Sequence, residues 1–367
     1  MIPLFKVHMP KSVDTVLLDV LHSGHIGQGP KVEEFEQQLS TYFGNPRVLT
    51  VNSATSGLHL ALRLAGVGAG DEVISTPMTC AATNTSILAT GAKIVWADVH
   101  PNRGLVDPAS IQEKITSRTK AIVAVHYGGL PCDLEEIANI AGPRRIRVIE
   151  DAAHALGACY QGRRIGNHSD FVVFSLQAIK HVTTVDGGIL LCRDNEDYIR
   201  GKLLRWYGLD RDGSAAPPSV SDIVEYGYKY HMNDVSATIG ICQLPYLNQL
   251  VARHAQHREF YDRELSSLPS IQLVEQPEDR ESAAWLYVIH VPQRKRFIDW
   301  MRQRGVMASP VHRRNDLYTC FREFRSHLPN LDAFDATQVA IPVGWWLSPG
   351  DLEMVVSSTR EFAKNVS

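Results

Sequence analysis

The stretch VEEFEQQLSTYFG sets Val32, Phe35, Leu39 and Tyr42 three or four positions apart, the spacing of one helical face, and Gly44 supplies the stop. NSATSGLHLALRLAG follows, opening with small hydroxylated residues and continuing as a nearly unbroken apolar run that predicts a buried helix. From Asp71 the pattern alternates. DEVIST, AKIVWADV, KAIVAVHY and IRVIEDAA read as strands, with ATNTSILATG, DPASIQEKI and DLEEIANIAG as the helices between them. Short apolar strands spaced by helices predict an α/β fold with a mixed, mostly parallel sheet covered on both faces. Functional residues in such sheets gather outside the carboxyl ends of the strands. FVVFSL and GGILLCR close this block, and a long helical stretch runs from about Asn233 to Leu265 with Pro245 bending it. The pattern then changes to AWLYVIHV, a helix around RFIDWMRQRG, and MASPVH. The expected division is a large domain over 1–250 and a smaller α+β domain over 251–367.

A chain of 367 residues with 44% hydrophobic and 21% charged residues has the composition of a globular protein. Its net charge of −3 gives no reason to expect nucleic acid or an anionic membrane as a partner. No window approaches the length of a membrane span, and MIPLFKVHMPKSVD lacks the basic and apolar regions of a signal peptide, so a cytoplasmic setting is expected. The six cysteines are scattered without a C-x-x-C pair, which argues against both a zinc site and a disulfide framework.

Four stretches carry candidate chemistry. GVGAG (Gly66 to Gly70) has the look of a dinucleotide fingerprint but follows a helix and precedes a strand, the reverse of that motif's context, and reads as a turn. NSATSGL lies in the opposite context, a loop feeding a buried helix whose first N–H groups lack intrahelical partners. Ala54 would let an anion approach while Thr55 and Ser56 add hydroxyls; the alternative is plain capping by Ser53 or Thr55. VIEDAAHALGA ends an apolar strand on two acids. A carboxylate there would hold a protonated pyridine nitrogen, Ala152 and Ala153 leave room for a flat ring, and His154 reaches a ring hydroxyl; the alternative is a loop salt bridge. In FSLQAIKHVTTVDGG, burial of Lys180 would lower its pKa from about 10.4 and free a nucleophilic amine, while Ser175 could bind the same phosphate as Thr55. An anion cradle, an acid for a pyridinium nitrogen and a Schiff-base lysine together describe a site for pyridoxal 5′-phosphate (PLP).

These motifs, with SGHIGQGPKVEEFE, GAGDEVIST, TKAIVAVHYGG, GRRIG and GYKYHMNDVSATIGICQL in the same order, give the chain a resemblance over almost its full length to the DegT/DnrJ/EryC1/StrS sugar aminotransferases, PLP enzymes of fold type I. The resemblance implies that Lys180 forms the Schiff base and shuttles a proton between the substrate carbon and C4′ of the cofactor. Asp151 would pair with the pyridinium nitrogen, His154 would contact the ring O3′ and Ala153 would pack on its face. Ala54, Thr55 and Ser175 would bind the phosphate. It also implies a homodimer with shared active sites. Three positions depart from the family pattern. Cys80 stands where an aromatic commonly stacks on the ring, and Lys229 where an asparagine often reaches the neighbouring subunit's phosphate. His181 directly follows Lys180; a dehydratase branch replaces the lysine itself by histidine, and the retained lysine argues against that branch.

The resemblance further implies glutamate as amino donor and a nucleotide-linked keto-sugar as acceptor. The eight-residue span from Lys180 to Gly188 is similar to that of members acting at C4 of a 4-keto-6-deoxy sugar, those acting at C3 tending to a longer loop. In SPVHRRNDLYTCF, His312, Arg313, Arg314 and Tyr318 share one loop suited to a diphosphate or a carboxylate, with a solvated basic turn as the alternative. GWWLSPGD would form a rim on the sugar nucleotide or, as plain packing, precede a helix starting at Ser348. Amination of a C3 keto-sugar or a keto-cyclitol, and a non-catalytic sensor built on the same fold, remain as rival readings; a dehydrogenase falls with the reversed GVGAG.

Overall fold

The structure, a computed structural model, describes residues 1–211 and 222–366. Helices α1 (Val13–His22) and α2 (Pro30–Phe43) lead into β1 (Val48–Val51) and α3 (Ala54–Leu64). Strands and helices then alternate through β2 (Glu72–Ser75), α4 (Ala81–Leu88), β3 (Lys93–Trp96), α5 (Pro108–Lys114), β4 (Thr119–Val125), α6 (Leu134–Ala141) and β5 (Arg147–Asp151). The short β6 (Cys159–Tyr160) and β7 (Arg163–Arg164) precede β8 (Phe171–Ser175), β9 (Gly188–Cys192) and α7 (Asn195–Arg205). After α8 (Asp234–Gln243) and α9 (Leu247–Leu265) come β10 (Gln272–Leu273), β11 (Arg280–Glu281), β12 (Tyr287–His290) and α10 (Arg294–Gln303). The chain closes with α11 (Pro329–Thr337), β13 (Gln338–Ile341) and α12 (Pro349–Val366).

The main sheet runs β1-β9-β8-β5-β4-β2-β3, with only β9 antiparallel to its neighbours. Both faces of β1, β2, β8 and β9 are buried, the condition under which strands read as continuous apolar runs. The α3 helix lies over this sheet closely enough that a Cβ on Gly57 would stand 3.0 Å from Val173. In α2 the buried face is Val32, Phe35, Leu39 and Phe43, not Tyr42. Phe43 stacks on Phe174 at 5.1 Å, while Tyr42 lies half-buried under Arg164. The predicted long helix is interrupted where expected: Leu244, Pro245 and Tyr246 form a 3₁₀ turn between α8 and α9. GVGAG is a turn, with Gly66 and Gly70 both at positive φ.

A second, antiparallel sheet, β10-β12-β13, packs with α10 and α12 around Phe297, Val339, Val355 and Phe362. Helix α9 supplies Leu247 to the core under the main sheet and Tyr261 and Leu265 to this second one. Trp346 packs against the second core and its indole N–H donates to Pro3 O, while Ser348 and Asp351 exchange hydrogen bonds at the start of α12. GWWLSPGD is therefore packing followed by a helix cap. No helix among the described residues is long and apolar enough to cross a membrane.

Candidate active site

At one end of the sheet, Ser175 of β8, Gly188 of β9 and Val51 of β1 stand in one row of the register. The loop after Val51 enters α3, capped by the Ser53 hydroxyl, which accepts from the Ser56 N–H at 3.1 Å. Capping thus falls to Ser53, and the Thr55 side chain is exposed. A Cβ on Gly188 would lie 2.7 Å from Ala54 N, so only glycine lets β9 pass beneath the helix start. Ala54 and Thr55 thus open α3 against Gly188, the register partner of Ser175, at the positive end of a helix where an anion such as phosphate could be held.

The carboxylate of Asp151 ends β5 at 4% exposure. Thr83 Oγ1 donates to Oδ2 at 2.6 Å and the Ala153 N–H to Oδ1 at 3.1 Å. Burial raises its pKa, opposed by these two bonds and by Lys180 and His126. Each oxygen keeps a further lone pair, as holding a ring N–H requires. On the neighbouring strand position Glu150 is fully buried and 2.9 Å from His126 Nε2. His126 Nδ1 accepts from the Cys132 N–H, so Nε2 carries the proton toward Glu150.

Lys180 is half-buried, with its amine 3.6 Å above the ring of Trp285. Loss of water brings its pKa down to about 7, against the opposing pull of Asp151 and Cys80. His154 stacks on the same indole, centroids 3.9 Å apart and planes 20° apart. Its Nδ1 accepts from the Gly128 N–H at 3.3 Å, and burial, reinforced by Lys180 and His312, holds its pKa well below the usual range. It is therefore neutral, with its proton on Nε2 as a donor for a ring oxygen. His312 lies parallel to His154 at 5.5 Å, its pKa lowered to about 4 by burial and by Lys180. The loop beyond Lys180 is turned by Val185 at φ 73° and fastened by Thr183 and Thr184 hydroxyls.

The structure thus brings Lys180, Asp151, His154 and His312 within electrostatic reach of one another and sets Ala54 and Ser175 at one sheet end, but it treats the C-terminal arginines differently. Arg313 is exposed, its guanidinium 5.2 Å over the Tyr318 ring. Arg314 is buried and spent: it binds Asp316 through two bonds of 2.8 and 2.7 Å and also pairs with Asp332. As a substrate-binding residue Arg314 is accordingly corrected to a loop anchor. Arg314→Met leaves buried Asp316 without its cation and is expected to cost about 3–5 kcal/mol in urea unfolding. A loss under about 1 kcal/mol would show the pair to be surface-like. Lys229 is exposed, and its carbonyl accepts from Asn52 Nδ2 at 3.1 Å, which ties its backbone to the loop entering α3 and leaves the side chain in solvent. Cys80 precedes α4, exposed, with no aromatic at that position. Two residues escape the sequence reading. Thr83 had a faint signal, a hydroxyl one turn beyond Cys80; Trp285, inside AWLYVIHV, had none.

A neutralisable lysine, a buried carboxylate with spare lone pairs, an imidazole donor and a glycine-cleared helix start form the residue set of a PLP enzyme. The chain belongs to the DegT/DnrJ/EryC1/StrS aminotransferase family, whose model matches residues 9–360, and it is a PLP-dependent sugar aminotransferase. It is similar to the sugar aminotransferase CalS13 from Micromonospora echinospora, with a TM-score of 0.95 and 39% identity over 98% of this chain and 100% of that one. Spr1654 from Streptococcus pneumoniae, solved in its PLP form, aligns with a TM-score of 0.92 at 28% identity over 100% of this chain and 99% of that one. The spore coat polysaccharide biosynthesis protein SpsC of Bacillus subtilis is 30% identical over 94% of this chain and 93% of its own length.

Proposed function

We propose that the chain, as a homodimer, moves an amino group from glutamate to C4 of a nucleotide-linked 4-keto-6-deoxy sugar. PLP, when bound, supplies the carbonyl that takes up the amino group and a ring that draws electrons from the reacting carbon. Lys180 acts as the nucleophile that anchors the group and then as the base and acid that moves a proton at that carbon. Asp151 keeps the ring nitrogen protonated, His154 donates to the ring oxygen, Ala153 packs on its face, and Ala54, Thr55 and Ser175 hold the phosphate. His312, Arg313 and Tyr318 face the nucleotide sugar. Cys80 borders the cleft beside Lys180, and Lys229 approaches the phosphate from a partner subunit. The observation that carries the reading is the Lys180 amine, 3.6 Å over the Trp285 ring and within reach of Asp151, followed eight residues on by Gly188, which passes beneath the start of α3. Exposed Leu18 and Leu21, one turn apart on α1, offer apolar surface to a second copy. The division into units over 1–250 and 251–367 belongs to the same proposal, supported by the two cores that share α9.

The test is the near-ultraviolet and visible spectrum of the purified protein before and after glutamate, followed by a panel of keto-sugar nucleotides and keto-inositols. The expected result is a yellow band that bleaches with glutamate and returns with a nucleotide-linked 4-keto-6-deoxy sugar, giving a C4 amine by NMR. Return only with a 3-keto sugar or a keto-inositol would overturn the acceptor. A band indifferent to glutamate would overturn the donor.

A further inference from the structure

We infer that Trp285 is the positioning residue that holds the free amine of Lys180 in place whenever that amine is not covalently engaged, an inference that rests on the role proposed for Lys180. The indole is only 3% exposed and has no freedom of its own. Its N–H donates to the carbonyl of Ile179, the residue just before the lysine, at 3.0 Å. Phe5 stacks on it at 4.9 Å and 21°, and His154 at 3.9 Å and 20°. The backbone that carries it is fixed as well. Ala283 N–H donates to Gly129 O and Leu286 N–H to Gly128 O, while a Cβ on Gly129 would collide with His154 O at 2.8 Å. From the other side His181 Nε2 donates to Ala283 O and His254 Nδ1 to Ala284 O, both at 3.0 Å. His181, the residue after the catalytic candidate, thus braces the segment that carries its backstop.

A lysine side chain has four rotatable bonds, and one left loose would sweep the cleft between proton transfers. The indole face 3.6 Å from Nζ removes that freedom and also excludes water from one side of the amine. The other groups that bear on Nζ are His154 and His312, held neutral by burial, neutral His181, and Asp151 and Cys80, which favour the charged form. None of these replaces the indole as a barrier to water. Shortening Trp285 to alanine removes a ring face that attracts the ammonium, but it also opens space beside polar groups able to hold water; because loss of water is the largest influence on this amine, rehydration is the larger change and favours the ammonium.

Competitive acetylation with trace acetic anhydride on the full-length, cofactor-free chain tests this, with the Lys180 peptide quantified by mass spectrometry across neutral and alkaline pH. Wild-type Lys180 is expected to label with a midpoint near 7. Trp285→Ala should move the midpoint up by one pH unit or more, at least about a fivefold drop in neutral amine at pH 7, whereas Trp285→Phe, which keeps a ring, should hold it. An alanine variant that is folded by circular dichroism yet titrates like wild type overturns the inference. If that variant does not fold, Trp285→Leu is read in its place against the same expectation. Because the labelling needs neither cofactor nor substrate, a wild-type protein that fails to aminate any keto-sugar would sink the functional proposal without touching this result.

Discussion

Lys180→Ala is expected to abolish amino transfer, lowering turnover by at least about 10⁴-fold, because the role proposed for this one side chain is both covalent anchor and proton shuttle. Borohydride should then fix no cofactor to the protein, and glutamate should not bleach added PLP at the wild-type rate. Residual turnover within about tenfold of wild type would mean that another base acts, and the neighbouring imidazoles would be the first to test. The same substitution carries a stability signature with a definite sign. Burial brings the folded-state pKa of Lys180 to about 7, below the free value of about 10.4, so the unfolded chain binds more protons between those limits. The partly desolvated ammonium therefore costs stability below about pH 7, and the cost is relieved as pH rises toward 10. Removing the lysine should raise the melting temperature of the cofactor-free protein at neutral pH, with an advantage over wild type that shrinks on going alkaline. An advantage that grew with pH would contradict a lysine desolvated in the folded state.

What the sequence made legible followed from local rules. Alternating strands and helices announced the sheet, and its β5 and β8 ends placed Asp151 and Ser175 where ligands gather. Pro245 marked its own break, and Ser53 its own cap. Interactions between distant segments left no such trace. Phe43 rather than Tyr42 turned inward because Phe174, more than a hundred residues later, offered a ring to stack on. Arg314 looked like Arg313 until Asp316 and Asp332 closed on it. Trp285 belongs to the site only because Gly128, Gly129, His181 and His254 dock its segment there, and none of these residues advertises that task. Periodicity reports which face is buried; it does not report against what.

Asp151→Asn separates the two demands made on the buried carboxylate. In the proposed role a neutral amide would no longer keep the ring nitrogen of bound PLP protonated, and amino transfer from the proposed donor glutamate is expected to fall by about 10²–10³-fold, the scale of losing one preorganised electrostatic partner. The fold should accept the change. An asparagine whose Oδ1 faces the Ala153 N–H can turn its amide N–H toward Thr83 Oγ1, which then donates to Thr79 Oγ1, 2.7 Å away. Stability should move opposite to activity. Burial raises the folded-state pKa of Asp151 above the free value of about 3.9, so the folded chain holds the extra proton and its stability declines as pH rises through that raised value. At neutral pH the ionised carboxylate is then a liability to the cofactor-free protein, and Asp151→Asn should melt higher than wild type, the gap closing below about pH 4 where both side chains are neutral. Thermal melts of the two cofactor-free proteins across pH decide it. An asparagine variant that melts lower at neutral pH would mean that Thr83, Ala153, Lys180 and His126 together outweigh burial, making Asp151 an asset to the fold before any cofactor arrives.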